Sequence, residues 1–221
     1  AANGSLNITA EKKFAGRTLE AGQFAFKLER LKADGTVDNT APVHTATNGA
    51  AGEANVKFGT LFFTDTDFAV GANEAFYTYR VTETVPATAQ PGVTYSNEQY
   101  KITVKLTRSD GSSDINKAVE KVEKYNETTA QWDTCANGLN DIDFTNTGEA
   151  YQGDSVTVPL HKTITGRTLK ANEFAFVVTR DGNLITSATA DANGNASFTL
   201  NYPANAPLGN YTYVVTETNN S

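Results

Sequence analysis

The chain has 221 residues; 18 Lys and Arg against 25 Asp and Glu give a formal charge of −7, and 39% of the residues are hydrophobic. That composition is globular, with room for one large domain or two small ones; no apolar run approaches the roughly 18 residues of a membrane-spanning helix, no basic-then-apolar leader stands at the N-terminus, and an acidic chain is a poor partner for nucleic-acid phosphates. Methionine is absent, Cys135 is the only cysteine, and His44 and His161 are the only histidines, which excludes an intramolecular disulfide and a conventional Cys/His zinc site.

In chain order, Ala1 reads as a processed or introduced start, and Leu6, Ile8, Ala10, Lys12 and Phe14 form the inward row of a first strand. Alternation then marks Phe24/Phe26/Leu28, Tyr77/Tyr79/Val81 and Tyr100/Ile102/Val104/Leu106 as strands, because side chains in an extended chain change face at every residue. Asp34-Gly35, Asn48-Gly49 and Asp110-Gly111 read as turns between them. Asp114–Lys124 fits either a helical turn or a hairpin arm, Trp132 and Cys135 fall in a polar loop, and Ile142, Phe144 and Asn146 share one face of a closing strand. Thr147–Ser155 is small, polar and glycine-containing, as linkers are. Beyond it Val156, Val158, Leu160, Lys162 and Ile164 repeat the first row, followed by Phe174/Phe176/Val178, an Asp181-Gly182 turn, an Asn193-Gly194 turn, Ala196/Phe198/Leu200/Tyr202 and a strand through Tyr211, Tyr213, Val215 and Glu217.

The chain therefore repeats itself. Gly16–Arg30 (GRTLEAGQFAFKLER) matches Gly166–Arg180 (GRTLKANEFAFVVTR), and YTYRVTET at Tyr77–Thr84 matches YTYVVTET at Tyr211–Thr218, with the first copy carrying an insertion near Val37–Gly71. Short Thr-rich strands with regular turns point to antiparallel β-sandwiches. The expected organisation is a complete domain over 1–149 and the N-terminal half of a second copy over 150–221, which lacks its final strands.

Three inward rows each carry one polar residue: Lys12, Glu83 and Asn146. Alone, a lysine at a strand end snorkels to solvent, a glutamate is solvated and a terminal asparagine forms a turn. Together they read differently, because Lys162 and Glu217 repeat the first two at matched phase and because a buried amine and carboxylate are costly unless they neutralise one another or react. Desolvation makes the amine a neutral nucleophile and keeps the glutamate protonated. The acid can then polarise the asparagine carbonyl and pass a proton to the departing ammonia, leaving a Lys–Asn isopeptide bond.

The K-x-x-x-G-[RK]-x-L-x-x-x-x-F-x-F opening, the Y-x-Y-x-V-x-E centre and the closing F-x-N resemble the isopeptide-linkage repeats of Gram-positive pilins and surface adhesins, the collagen-adhesin B-type (CnaB-like) domains. The resemblance covers residues 5–148 and the first half of a repeat from about 154 to 221. It implies tandem all-β CnaB-like (Ig-like, Greek-key) sandwiches, with Lys12 as nucleophile, Asn146 as acceptor and Glu83 as proton shuttle. Lys162 and Glu217 take the matching roles in copy two, whose acceptor is absent since Asn219 and Asn220 follow Glu217 too closely to form a separate strand. The implied function is a structural stalk or shaft module of a pilus (fimbrium) or adhesin, outside the cell and anchored to the cell wall through segments beyond this chain. Its partners would be neighbouring repeats or pilin subunits and a host surface ligand, with no nucleic acid, no membrane insertion and no cofactor.

The rival readings are an enzyme, for which no Ser-His-Asp order or phosphate loop is present, and a ligand-binding adhesin module using sandwich loops, with Asp65 and Asp67 as calcium ligands. Cys135 reads as an incidental thiol. The N-x-S/T sequons at Asn3, Asn7, Asn126, Asn195, Asn210 and Asn219 follow from an Asn- and Thr-rich composition.

Overall fold

The structure, a computed structural model, describes residues 3–110, 112–204 and 206–219. Ala1, the Gly111 of the Asp110-Gly111 turn and Asn220 lie outside the described residues. The chain divides into two compact units, Ala1–Glu149 and Ala150–Ser221, and among the described residues regular structure is strand, broken by short 3-10 turns at Asp65–Asp67 and Gly138–Asp141.

The first unit holds β1 (Asn3–Ala15), β2 (Ala25–Leu31), β3 (His44–Thr47), β4 (Val56–Thr64), β5 (Glu74–Thr84), β6 (Val93–Thr94), β7 (Gln99–Arg108), β8 (Ile115–Asn126), β9 (Gln131–Thr134) and β10 (Asp143–Gly148). They form a four-stranded sheet in the order β4-β1-β10-β6 and a six-stranded sheet in the order β3-β2-β5-β7-β8-β9. The first and last strands, β1 and β10, are parallel neighbours, with Lys12 opposite Phe144 and Phe14 opposite Asn146. The inward rows of the two sheets meet in one core that includes Ile8, Phe26, Leu28, Val81, Ile102, Val104 and Phe144.

Strict alternation along Val56–Thr64 would send Phe62 inward. Instead Val56, Phe58, Leu61 and Phe63 are buried while Phe62 is 78% exposed. The phase changes at Gly59, whose φ of 80° lies in the left-handed region, and the register against β1 shifts at the same point, between Asn7 and Thr9. This is the signature of a bulge, which adds one residue and resets the faces.

The structure departs from the sequence reading elsewhere. Asn48 is no turn residue: it is buried, its Oδ1 accepts the Phe24 N–H (2.8 Å) and its Nδ2 donates to the Glu20 carbonyl (2.9 Å). The open Asp114–Lys124 segment is the body of β8, paired antiparallel with β7. Trp132 lies in β9 rather than in a loop, its ring 5.2 Å from that of Tyr125 across the β8–β9 pair.

The second unit holds β11 (Asp154–His161), β12 (Phe174–Arg180), β13 (Asn183–Thr189), β14 (Asn195–Tyr202) and β15 (Val214–Asn219). They pair as β11-β14 and as β13-β12-β15, and the core is small: Val178, Phe198 and Leu200, with Val158, Leu160 and Tyr213 against them. Tyr211 to Tyr213 do not join β15 as the sequence pattern suggested. In the first unit the matching Tyr77 is held by its pairing with Val104 of β7, outside the stretch that pairs with β2. Among the described residues of the second unit, β15 pairs with β12 alone, from Val214 opposite Thr179 to Asn219 opposite Phe174.

Candidate functional site

The sequence-selected trio of the first unit converges at one point between the two sheets. Lys12 is 1% exposed and Asn146 fully buried, and Glu83 reaches them from β5 in the facing sheet. The Lys12 Nζ donates to Glu83 Oε2 at 2.5 Å, and the Asn146 Nδ2 donates to Glu83 Oε1 at 2.6 Å. One carboxylate thus bridges the amine and the carboxamide, one oxygen to each.

Local structure explains the aim of each side chain. The regular β1–β4 ladder ends at Ala10 opposite Val56, and the next rung comes from a side chain: Asn55 Oδ1 accepts the Lys12 N–H (2.6 Å) while its Nδ2 donates to the Lys12 carbonyl (3.0 Å). That clamp fixes the backbone from which the lysine projects. Aromatic rings wall its path, with Nζ 4.6 Å from the Phe24 centroid and 5.8 Å from that of Phe26. Phe26 lies directly opposite Glu83 in the β2–β5 pairing and packs on Phe144 at 5.3 Å. Behind the strands, the GR of the GRTL motif ties the end of β1 to β10. Gly16 has a φ of 88° and approaches Gly148 so closely that a Cβ would sit 2.1 Å from the Gly148 carbonyl oxygen. Arg17 donates to the Glu149 and Pro91 carbonyls at 2.7 and 2.9 Å.

Burial is the dominant influence on Lys12 and lowers its pKa below 10.5, with the hydrogen bond and charge of Glu83 acting in the opposite direction. A lysine in such a place can present a neutral amine at modest cost.

The carboxamide is oriented by a group the sequence reading did not single out. The Ser96 backbone N–H donates to Asn146 Oδ1 at 2.6 Å. A backbone N–H can only donate, so the atom facing it is the oxygen and the nitrogen faces the carboxylate. The sequence reading had Glu83 polarising the carbonyl; here that contact belongs to Ser96, and Glu83 accepts from the carboxamide nitrogen. No side-chain pattern reports a backbone donor.

In the second unit, Lys162 and Glu217 are also together, at 2.8 Å, but their side chains are 22% and 35% exposed. The Lys162 Nζ stands 4.4 Å from the Phe174 ring, much as Lys12 stands over Phe24. Lys162 and Glu217 thus repeat the amine–carboxylate contact in a more solvated setting.

Other candidates fall to structural roles. Asp67 accepts the Thr64 N–H in a capping box at 2.7 Å, and Asp65 pairs with Arg108 at 3.1 Å. Among the described residues no group of three or more His, Cys, Asp and Glu could hold a metal ion. Burial pushes the Cys135 thiol up, away from thiolate character. No helix among the described residues is long and apolar enough to cross a membrane.

A family model described as "FctA: Spy0128-like isopeptide containing domain" matches residues 8–149. No curated protein matches the chain. Among solved structures, a mutant of the major pilin from Streptococcus pyogenes aligns at 18% identity over 97% of this chain and 82% of its own, with a TM-score of 0.38. The major pilin T3.2 of the same species aligns at 14% identity over 99% and 84%, TM-score 0.37. A C-terminal fragment of the pilus adhesin SpaC from Lactobacillus rhamnosus GG aligns at 17% identity over 97% and 75%, TM-score 0.30.

Proposed function

The chain belongs to the family of Spy0128-like isopeptide-containing domains, and from that premise we propose that it is a structural stalk or shaft module of a Gram-positive pilus or surface adhesin, braced by one self-formed bond between Lys12 and Asn146. The observation that carries this reading is the contact of Glu83 with both the buried amine and the carboxamide, at 2.5 and 2.6 Å.

The chemistry balances within the trio. A proton moves from the Lys12 ammonium to Glu83, giving a neutral amine beside a neutral acid; the total proton count of the pair is unchanged. The amine lone pair attacks Asn146 Cγ, forming the Nζ–Cγ bond. Collapse of the tetrahedral adduct breaks the Cγ–Nδ2 bond, and Glu83, already hydrogen-bonded to Nδ2, supplies a proton to the departing nitrogen. The former lysine nitrogen gives one of its two protons to the Glu83 carboxylate and keeps the other as the amide N–H, so ammonia leaves and Glu83 ends as the neutral acid, free of its ion pair. The reaction runs once per chain; it is self-modification, not turnover of a substrate.

The bond would tie the first strand to the last, and these are already hydrogen-bonded neighbours. A pull entering at one end of the unit and leaving at the other would then be carried covalently. On this reading the module works outside the cell, attached to the wall through other segments, with neighbouring repeats or pilin subunits as its partners and a host ligand contacted elsewhere in the assembly. The test is peptide mapping of the full chain and of Glu83→Gln. A branched Lys12–Asn146 peptide in the wild type and its absence from a folded Glu83→Gln chain is the expected result; an unbranched wild type contradicts it.

A further inference from the structure

The Asn146 carbonyl oxygen must take up negative charge when the lysine adds to Cγ, and among the described residues the hydrogen bond it accepts comes from the Ser96 backbone N–H. We infer that the Ser96 backbone N–H is the oxyanion donor of the crosslinking reaction and that Glu98 is the positioning residue that holds it there; this rests on the Lys12–Asn146 reading given above.

The geometry is that of a preorganised donor. The N–H meets Oδ1 at 2.6 Å, so a fixed amide is already aimed at the oxygen on which charge develops and need not reorganise to stabilise it. Ser96 sits in the connection between β6 and β7, a segment that would otherwise move freely, and it is pinned on both sides. Ahead of it, the Tyr95 ring packs edge-on against Phe24 at 5.9 Å, the ring that walls the lysine, and the Tyr95 hydroxyl accepts the Gln90 N–H at 3.0 Å. Behind it, Glu98 Oε2 accepts both the Ser96 hydroxyl (2.6 Å) and the backbone N–H of Thr145 (3.1 Å), the residue before the acceptor. The Glu98 N–H returns a bond to Ser96 Oγ at 3.1 Å, and Lys124 Nζ holds Glu98 Oε1 at 3.2 Å. A single carboxylate therefore joins the donor loop to the acceptor strand and sets the distance between N–H and carbonyl. Glu98 touches no reacting atom; it holds the donor loop through the Ser96 hydroxyl and the acceptor strand through the Thr145 N–H, and its charge also favours the protonated form of Lys12.

The two roles are separable. Incorporating glyceric acid at position 96 during cell-free synthesis of the full chain replaces the N–H by an ester oxygen and keeps the side chain. Crosslinking is then followed as loss of ammonia by intact mass, from the moment of synthesis, at a temperature where the Lys12→Ala counterpart of each chain is folded by circular dichroism. The ester is expected to react about 100-fold more slowly than wild type. Glu98→Ala is expected to slow the reaction by about tenfold or more, and Glu98→Gln, which can keep the two contacts made by Oε2 while giving up that of Oε1 with Lys124, to recover most of the rate, a rescue that loss of general stability would not give. An ester chain that keeps pace with wild type overturns the oxyanion assignment, and a Glu98→Ala chain that does so overturns the positioning role. A wild type that never loses ammonia fails at the earlier reading and takes this one with it.

Discussion

The two units carry the same amine–carboxylate pair in different surroundings. Lys12 and Glu83 meet with no exposed side-chain surface on either partner, whereas Lys162 and Glu217 meet with 22% and 35% exposed. In the first unit β5 is flanked on both sides, by β2 and β7, and β1 by β4 and β10. In the second, β15 pairs with β12 and β11 with β14, with no further partner for either among the described residues. The motif brings the charges together, and the additional strands remove water from them. An ion pair in water is a weak surface feature, while the same pair without water carries a large desolvation cost.

The largest break in this comparison comes from Lys12→Ala. On the proposed reading it removes a crosslink that would close a loop of well over one hundred residues, worth roughly 5 kcal/mol in the chain-entropy view, and it leaves Glu83 buried without its amine partner. Denaturant unfolding of the full chain with hydrogen exchange read in each unit should show the first unit alone losing that amount. A loss under about 1 kcal/mol would mean that no covalent brace was there to lose.

A second contrast uses the glycine that follows each lysine strand. Gly16 and Gly166 both have φ near 90°, at 88° and 89°, so Ala at either position costs about 1 kcal/mol for the left-handed backbone. A Cβ at Gly16 would also strike the Gly148 carbonyl oxygen, while at Gly166 it meets nothing within 4 Å among the described residues. Gly16→Ala should therefore be at least twice as destabilising as Gly166→Ala in thermal melts; equal effects would remove the β1–β10 approach from the account.

Glu217→Ala should change stability by less than about 1 kcal/mol, as exposed pairs do. Glu83→Ala should cost several times more, since it leaves a buried amine unpaired and the bond unformed. Equal small effects would show that burial does not separate the two pairs.

The smallest effect is a pH slope. In Asn146→Ala, Lys12 stays titratable and burial lowers its pKa below 10.5. Between the lowered value and 10.5 the folded chain binds fewer protons than the unfolded one, so stability rises with pH across that window, and below it the full desolvation penalty is present. Comparing Asn146→Ala with Lys12→Met/Asn146→Ala cancels the tyrosines and other groups; the slope should vanish in the double variant, and its persistence would place the titration elsewhere.

Much of this was legible from residue order. Period-two alternation located the inward rows and exposed Lys12, Glu83 and Asn146 as the polar members, because a strand repeats its faces whatever it pairs with. What pairing decides was not legible. Tyr211 and Tyr213 alternate as well as Tyr77 and Tyr79 do, yet they lie outside β15. Phe62 breaks the pattern through one left-handed glycine. Asn55 and Asn48 act by replacing backbone rungs, and Ser96 acts through an amide that every residue but proline owns. Side-chain identity signals none of these roles.

The central claim is tested most directly by the intact mass of the full wild-type chain, measured under denaturing conditions. The account predicts a mass one ammonia below that of the sequence, with proteolysis placing the loss in a Lys12–Asn146 branch and Lys162 unbranched. A mass equal to that of the sequence would contradict it.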